Sequence, residues 1–499
     1  MPSKNSQMIK DGKRLPLSGS SVVMHFLFTL VVLVPLLTVI LIPLAVIFTA
    51  LNFIKGLILP KKNRSKDNEH VDHTGSDEWK SNVSGSRRDF DLVLFGATGF
   101  TGRLAALYIA RQYGSKQFRW AIAGRRKEGL EKIREELANI DPTLTDLSLI
   151  IADSSKPATL QDMARCTRVV ITTTGPFDRY GSDLVRMCAE SGTHYADITG
   201  ETDWVRKMID RYDDKARATG ARIVHFCGHD CVPWDLTVME CANALKKSGE
   251  TLTEVKCFDE INAGPSGGTM ETVFHSLDNR EKVKTGLGFD PMLKTLLGTV
   301  STSKTVVKNP MSLGYAKEVQ SWVGPFLMAM VNGNCVRRSN AVNNYGPSIK
   351  YSEATVYPSF MAGFVTIANL LVLGCSLAVP PLQWLLRKYF LPAPGQGPSE
   401  KSMDEGFLNV TAYARGSMGG TVKSEMYFPT DPGYRDTGRM LVESGLALAL
   451  NEDDIACPGG VFTPAASIGS VLLKRLQATG TIFTVDINPA TDSKKSKNA

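Results

Sequence analysis

Six short apolar runs follow one another between residues 90 and 228, separated by stretches long enough for helices. The runs are nearly continuous, which is typical of strands buried on both faces rather than on one. Buried strands that alternate with helices form a parallel sheet with right-handed crossovers. The pattern therefore predicts a doubly wound α/β domain. The six runs are FDLVLFG (90–96), WAIAGR (120–125), LSLIIAD (147–153), VVITTTG (169–175), HYADITG (194–200) and ARIVHFCG (221–228).

A glycine-rich turn, GATGFTG at 96–102, joins the first run to a helix-compatible stretch. Gly96 permits the tight turn, Gly99 lets the backbone approach a pyrophosphate, and Gly102 lets the helix pack on the strand. The amide groups at the start of that helix favour a phosphate. We predict a Rossmann dinucleotide site. Its cofactor-binding residues at this turn are Gly96, Thr98, Gly99, Phe100, Thr101 and Gly102.

The second run ends in Gly124-Arg125-Arg126, at the position where NAD-dependent Rossmann proteins carry an acidic residue. A carboxylate would repel a 2′-phosphate, whereas a guanidinium binds it with charge-assisted hydrogen bonds. We predict NADP(H) in preference to NAD(H), with Arg125 as the main contact and Arg126 as a solvated surface charge. Further cofactor contacts are expected at the ends of the third and fourth runs, from Asp153, Thr174 and Gly175.

Residues 22–51 contain no Asp, Glu, Lys or Arg. A membrane-spanning helix needs about 20 apolar residues, and the apolar core of a signal peptide is shorter than this run. Pro35 and Pro43 interrupt the run, and basic residues flank both of its ends. The positive-inside rule favours a hairpin with both ends in the cytosol, one long tilted helix is the second interpretation, and a buried core helix is the third.

Local differences in apolar and charged residues divide the rest of the chain into segments. The region 354–391, uncharged as far as residue 386, is interpreted as a lipid-facing element, a buried helix pair or a transmembrane helix, with the first favoured. The predicted segments are a basic tail (1–20), a membrane anchor or hairpin (21–54), a flexible polar linker (55–88), the Rossmann domain (89–228), an α+β substrate domain (229–450) with that apolar insertion (354–391), a C-terminal segment (451–487) and a disordered tail (488–499).

Several kinds of chemistry are excluded by the sequence. None of the 13 Tyr is followed by Lys four residues later, so the proton relay of short-chain dehydrogenases is absent. The seven His form no metal-ligand motif, and the nine Cys include no CxxC pair, which argues against a zinc site and against a disulfide framework. The net charge of +7 comes from residues 1–88, with 12 basic against 6 acidic residues, which leaves 45 against 44 elsewhere. We therefore expect no nucleic-acid partner.

Ordered motifs along residues 89–487 resemble the saccharopine dehydrogenase-like oxidoreductases. The resemblance implies a Rossmann domain and an α+β domain with the catalytic cleft and dimer contacts. It also implies relatives that act on lipids, such as the trans-acting enoyl reductases of mycobacterial glycolipid synthesis. The chain departs from the family at 228–233, where GHDCVP replaces GFDSIP. The shared motifs are GATGFTG (96–102), AGR (123–125), YADITGE (195–201), HDCVPWD (229–235), SGGT (266–269), LPAPGQGPS (391–399), DPGYRDTG (431–438) and GGVFTPA (459–465).

Candidate catalytic residues follow the strands at the ligand-binding edge. His229 and Asp230 come directly after the sixth run, and His is a common acid or base near neutral pH. Tyr180 follows the fourth run. A structural turn is the alternative for His229, and Cys231 is expected to be a small buried side chain. Other residues that could border the nicotinamide or the substrate, or serve as helix caps or loops, are His194, Asp197, Glu201 and Ser266–Thr269.

These features predict a membrane-associated NADP(H)-dependent oxidoreductase that acts on a lipid or acyl substrate. The expected partners are a membrane or lipid-droplet surface, a lipid-like small molecule and a second copy of the chain as a homodimer. The catalytic body is expected to face the cytosol, on a lipid droplet, the endoplasmic reticulum or the mitochondrial outer surface. A non-catalytic scaffold with a vestigial nucleotide pocket is the alternative. True saccharopine metabolism is the third hypothesis. It requires an Arg cluster for the substrate carboxylates, and Arg337-Arg338, the only adjacent Arg pair of the predicted substrate domain, is either that cluster or a surface pair.

Overall fold

The computed structural model describes residues 88–263, 301–389, 395 and 397–489 of the 499-residue chain. The predicted membrane anchor, the linker up to residue 87, the Ser266–Thr269 loop and the last ten residues lie outside the described part. Within that part, residues 88–363 and the residues after 391 form one compact unit. Residues 364–389 belong to a second.

The first sheet has seven strands, and every neighbouring pair is parallel. Their order is β3-β2-β1-β4-β5-β6-β14. Strands β2 and β3 lie on one side of β1 and the later strands on the other, so the strand order reverses between β1 and β4, as in a Rossmann domain. Each of the six predicted runs overlaps a strand, which confirms the parallel α/β sheet. The strands are β1 (Phe90–Phe95), β2 (Trp120–Gly124), β3 (Ser148–Ile151), β4 (Thr167–Thr172), β5 (His194–Asp197), β6 (Arg222–Val224) and β14 (Gly460–Phe462).

Strand β14 comes from near the C-terminus and is not among the six strands predicted for this sheet. It pairs with β6 through Val461 and Ile223. The predicted boundaries put residues 451–487 in a separate segment, whereas this strand completes the Rossmann sheet. A three-residue strand carries too little periodicity to be recognised, because its place in the sheet depends only on long-range pairing.

Helices cover both faces of the first sheet. One face receives α12 (Arg435–Leu450), which lies so close to β4 that a Cβ atom on Gly445 would come 2.4 Å from Ile171 Cγ2. A C-terminal helix therefore forms part of the core of the nucleotide-binding domain. The other helices of this domain are α1 (Phe100–Gln112), α2 (Lys127–Ala138), α3 (Pro157–Cys166), α4 (Phe177–Tyr180), α5 (Ser182–Ser191) and α6 (Thr202–Thr219).

The second sheet is mixed. Its main path is β15-β13-β12-β7-β11-β10-β9, and β8 also pairs with β11. The central strands β7 and β11 are parallel, while β12 pairs antiparallel with both β7 and β13. The strands are β7 (Leu252–Asn262), β8 (Lys304–Val307), β9 (Gly314–Ala316), β10 (Ser321–Gly324), β11 (Ser348–Tyr357), β12 (Phe407–Gly416), β13 (Thr421–Phe428) and β15 (Ile482–Asn488). The helices after the first domain are α7 (Val232–Lys247), α8 (Ala329–Asn343), α11 (Glu400–Asp404), α13 (Pro464–Ser467) and α14 (Gly469–Ala478).

Two helices follow β11 in the predicted apolar insertion, α9 (Phe360–Ala378) and α10 (Pro380–Tyr389). The predicted boundary at residue 354 is wrong, because residues 354–357 belong to β11. Among the described helices, α9 alone is long and apolar enough to cross a membrane. Its window of 18 residues has a mean hydropathy of 2.0 and is 33% buried.

Candidate functional site

The glycine turn is built as the sequence predicts. Gly96 has a φ of +92°, which favours glycine. A Cβ atom on Gly102 would lie 2.1 Å from the carbonyl oxygen of Gly96. Gly99 donates its N–H to that same oxygen over 3.0 Å. The first turn of α1 is therefore held directly against the end of β1.

The start of α1 can accept an anion. Gly99 provides no side-chain cap, and the first helical turn contains no acidic residue. The amide groups of that turn, together with the positive end of the helix dipole, suit a pyrophosphate. Thr98 is exposed beside the turn, while the Phe100 ring packs edge-on against Tyr434 at 5.4 Å. Phe100 thus directs its side chain to the C-terminal loop, which leaves only its backbone for a cofactor.

Arg125 is exposed immediately after β2, as a contact to the adenosine ribose phosphate requires. Asp153, two residues after the neighbouring β3, makes its contacts within its own turn. Its carboxylate accepts hydrogen bonds from the backbone N–H and the hydroxyl of Ser155, both 2.9 Å long. These bonds lower the pKa of Asp153 and hold its carboxylate against its own turn.

The residues after β4 lie beside the glycine turn. Thr174 Oγ1 is 2.6 Å from the position that a Cβ atom on Gly96 would occupy. Gly175 precedes Pro176 through a cis peptide bond. Glu201 holds the two residues that follow Pro176. Its carboxylate accepts hydrogen bonds from the backbone N–H groups of Phe177 and Asp178, each 2.8 Å long. Glu201 therefore caps α4 rather than the helix that follows it in sequence.

Two other candidates have structural roles. Asp197 is fully buried and accepts hydrogen bonds from Tyr195 Oη at 2.9 Å and His225 Nδ1 at 2.7 Å. His194 begins β5, so it lies at the opposite end of the strand from the ligand-binding edge. Its Nδ1 accepts the N–H of Arg222. The expectation that these two residues border the nicotinamide is not supported by their contacts.

Tyr180 ends the short helix α4 and is half-buried. The guanidinium of Arg179 lies 5.1 Å from the centre of its ring. Its position after β4 keeps it on the ligand-binding side of the sheet, and its catalytic role remains a prediction.

The loop after β6 brings His229 and Asp230 to a cluster of buried polar groups. The His229 ring packs between Trp234, at 5.1 Å, and Phe326, at 6.5 Å. Burial lowers the pKa of His229 to about 4, so the imidazole is neutral at pH 7 and is a poor proton donor there. Burial raises the pKa of Asp230 to about 7, which suits a carboxyl group that donates a proton near neutral pH.

Two buried carboxyl groups of the second sheet complete this cluster. Asp259 on β7 accepts a 2.8 Å hydrogen bond from Trp234 Nε1. Glu353 on β11 accepts hydrogen bonds from Asn332 Nδ2, at 2.8 Å, and Tyr351 Oη, at 2.7 Å. Burial raises the pKa of Glu353 to about 8 and, with the charge of Glu353 adding to it, raises the pKa of Asp259 strongly.

Asp259 and Glu353 are not among the residues predicted from the sequence, although a signal for each is present in it. Glu353 is in phase with Ile349 and Tyr351 along β11, and all three are buried. An acidic residue in the apolar phase of a strand is costly to bury unless it has partners or holds a proton. Asp259 is likewise in phase with the buried Cys257.

In the described part of the chain, no group of three or more His, Cys, Asp or Glu side chains is placed to bind a metal ion. Cys231 is fully buried, and burial raises the pKa of its thiol to about 11, as expected for an inert side chain.

The parallel first sheet and the glycine turn after β1 define a dinucleotide-binding protein of the Rossmann class. Residues 92–224 match the family model described as the saccharopine dehydrogenase NADP binding domain. The match confirms the predicted cofactor, NADP(H).

Relatives of known name cover most of the chain. A Mycobacterium tuberculosis protein with the provisional name trans-acting enoyl reductase is 38% identical over 80% of this chain and 98% of its own length. The trans-acting enoyl reductase of Mycobacterium ulcerans is 36% identical over 81% of this chain and 99% of its own length. This chain belongs to the saccharopine dehydrogenase-like oxidoreductase family. A distant similarity to apo saccharopine dehydrogenase (L-glutamate forming) of Saccharomyces cerevisiae has a TM-score of 0.46 and 12% identity over 80% of this chain and 99% of that one.

Proposed function

We propose that this protein is an NADP(H)-dependent reductase of an acyl or lipid substrate that works at a membrane or lipid-droplet surface. The observation that carries the proposal is the pairing of an anion-accepting glycine turn with a half-buried carboxyl group, Asp230, whose pKa is about 7. Both lie at the carboxyl ends of strands in one sheet. A bound reduced nicotinamide supplies a hydride, and Asp230 holds the proton that a reduction also consumes.

The relatives support an acyl substrate, since their names describe enoyl reductases. The contacts of Arg337 and Arg338, the pair predicted to bind substrate carboxylates, argue against the saccharopine alternative. Arg337 donates to Asn334 Oδ1 at 2.7 Å, and the fully buried Arg338 donates to the carbonyl oxygen of Val461 at 2.7 Å. Because both guanidinium groups are bonded within the fold, they are poorly placed to bind substrate carboxylates.

The apolar helices support the membrane surface. Leu371 on α9 is 64% exposed and Trp384 on α10 is 59% exposed. Lys388 Nζ lies 4.9 Å from the Trp384 ring centre and 5.1 Å from that of Tyr389. Aromatic rings beside a lysine are typical of a segment at a membrane interface. The cytosolic orientation of the body rests on the basic residues that flank residues 22–51.

The activity is tested with the full chain, NADPH and an α,β-unsaturated octenoyl thioester of N-acetylcysteamine offered in phosphatidylcholine vesicles. We expect NADPH oxidation that depends on the thioester and is much slower with NADH. Binding of NADPH without oxidation by this thioester or by its ester and ketone analogues would contradict the reductase and favour the scaffold.

Membrane contact is tested at a native cysteine. Cys375 on α9 is exposed, whereas Cys166 is half-buried and the remaining cysteines are buried. We expect a fluorophore on Cys375, in a Cys166→Ser full-length chain, to be quenched severalfold by vesicles of brominated phosphatidylcholine. The control places the fluorophore at Met418→Cys in a chain with Cys166→Ser and Cys375→Ser, because Met418 is also exposed, at 61%, in the β12–β13 turn. Equal quenching at the two positions would contradict docking through α9.

A further inference from the structure

The cluster around Asp230 contains several buried polar atoms without a hydrogen-bond partner in the described part of the chain. They are His229 Nδ1, Asp230 Oδ1, Asp259 Oδ2 and Asn332 Oδ1. Asp259 and Asn332 are fully buried. Buried polar atoms in native proteins are nearly always paired, so such a concentration indicates a site for a polar group from outside the fold.

These atoms belong to one connected set. Trp234 joins two of the residues, since its ring contacts His229 and its Nε1 binds Asp259. Asn332 is bonded to Glu353. The Glu353 carboxyl in turn interacts electrostatically with Asp230.

Asp230 also borders the nucleotide-binding sheet. Its Oδ2 lies 3.7 Å from the position that a Cβ atom on Gly200 would occupy. Gly200 belongs to the loop after β5, so the cluster reaches the edge where a Rossmann sheet binds its ligand. We call the set His229, Asp230, Asp259, Asn332 and Glu353 the acid chamber.

The charge of the acid chamber limits what it can bind. Glu353 interacts electrostatically with both Asp230 and Asp259, and among the described residues no arginine or lysine side chain contacts any of these three carboxyl groups. Burial and mutual repulsion favour the neutral acids, which donate O–H bonds. Such donors suit an uncharged carbonyl oxygen. A substrate carboxylate would have to be buried without a cation to pair with it, which costs far more than the burial of a neutral carbonyl.

We propose that the acid chamber binds the carbonyl oxygen of an uncharged acyl substrate, an ester or a thioester, and that Asp230 is its proton donor. This inference rests on the proposed reductase function. For a conjugated C=C–C=O group, the hydride forms a C–H bond at the β-carbon and the C=C electron pair moves to give an enolate. The enolate α-carbon then takes the proton from Asp230, and water reprotonates the carboxylate.

The pH dependence has a defined sign. Asp230 must carry its proton, so turnover falls as the pH rises through its pKa. The titratable groups that interact with it are Glu353 on β11 and the thiol of Cys231, while His229 precedes it in the chain. We expect Asp230→Asn to lower kcat at least about 100-fold, the usual contribution of a general acid, and to remove that fall. Asp453→Asn, which neutralises an exposed acid elsewhere, is the control.

Two measurements on the full chain separate this inference from the reductase proposal. Equilibrium dialysis without cofactor compares the octenoyl N-acetylcysteamine thioester with free octenoate, and we expect at least tenfold tighter binding of the thioester. Infrared spectra at pH 6 should show protonated carboxyl groups that decrease in Asp230→Asn and in Asp259→Asn. The same kinetics on Asp230→Glu, which restores the acid, cover the case in which the Asn variant does not fold.

The outcomes are distinct. Thioester binding and protonated carboxyls without any NADPH oxidation would contradict the reductase and leave the chamber in place. NADPH oxidation that is unchanged in rate and pH profile in Asp230→Asn would overturn the proton donor. Octenoate binding as tight as that of the thioester would overturn the proposed selectivity for an uncharged carbonyl.

Discussion

A Gly102→Ala variant is expected to lose NADPH binding by at least about 100-fold, or about 2.7 kcal/mol. The added Cβ atom would lie 2.1 Å from the Gly96 carbonyl oxygen and 2.8 Å from its carbon. Backbone atoms cannot rotate away as a side chain can, so α1 must move off the end of β1. That movement displaces the amide groups that receive the pyrophosphate, and overpacking of this kind costs about 1 to 3 kcal/mol of folding stability.

The measurement is a fluorescence titration with NADPH, alongside a urea unfolding curve for each variant. Gly314→Ala is the matched control, because no atom lies within 4 Å of its added Cβ. Gly99→Ala should have an intermediate effect, since its Cβ would lie 3.3 Å from the same Gly96 oxygen. If Gly102→Ala bound NADPH like the native chain, the glycine turn would not be the cofactor site.

A Glu443→Ala variant is expected to lose about 3 to 5 kcal/mol of unfolding free energy, the cost of breaking a buried ion pair. Glu443 is fully buried on α12 and accepts hydrogen bonds from Tyr108 Oη, at 2.6 Å, and Tyr113 Oη, at 2.7 Å. Arg475 Nε donates to its other oxygen at 2.8 Å. Removal of the carboxylate leaves all three donors without this acceptor in the domain core.

Urea unfolding of the full chain measures this loss, and Glu425→Ala is the control. Glu425 pairs with Lys423 on the surface of β13, where an ion pair contributes less than about 1 kcal/mol. Similar losses in the two variants would contradict the conclusion that the C-terminal helices are part of the nucleotide-binding core.

The sequence was sufficient for the parts of the fold that depend on local order. The run from Phe90 to Gly102 contains a strand, its turn and a helix start in succession, so their arrangement could be predicted from spacing alone. Arg125 could be placed for the same reason, since it directly follows β2.

The remaining features depend on contacts between distant parts of the chain. Asp259 and Glu353 meet only because β7 and β11 pair in parallel across some 90 residues, and Asp230 reaches them from the loop after β6. The roles of Glu201 and Asp197 also depend on partners in other segments. Strand pairings of this kind leave no mark in local periodicity, which is why His229 was a more obvious candidate than Glu353.

Titration of the protein with NADPH and NADH, beside an Arg125→Asp variant, tests most directly whether this chain is an NADP(H)-dependent member of its family. We expect tighter binding of NADPH, and a loss of about 100-fold in the variant, because a charge-assisted pair is replaced by repulsion. Arg126→Asp controls for general charge, since Arg126 is also exposed one residue further on. Equal affinity for the two nucleotides, or an Arg125→Asp variant that retains NADPH, would contradict the account.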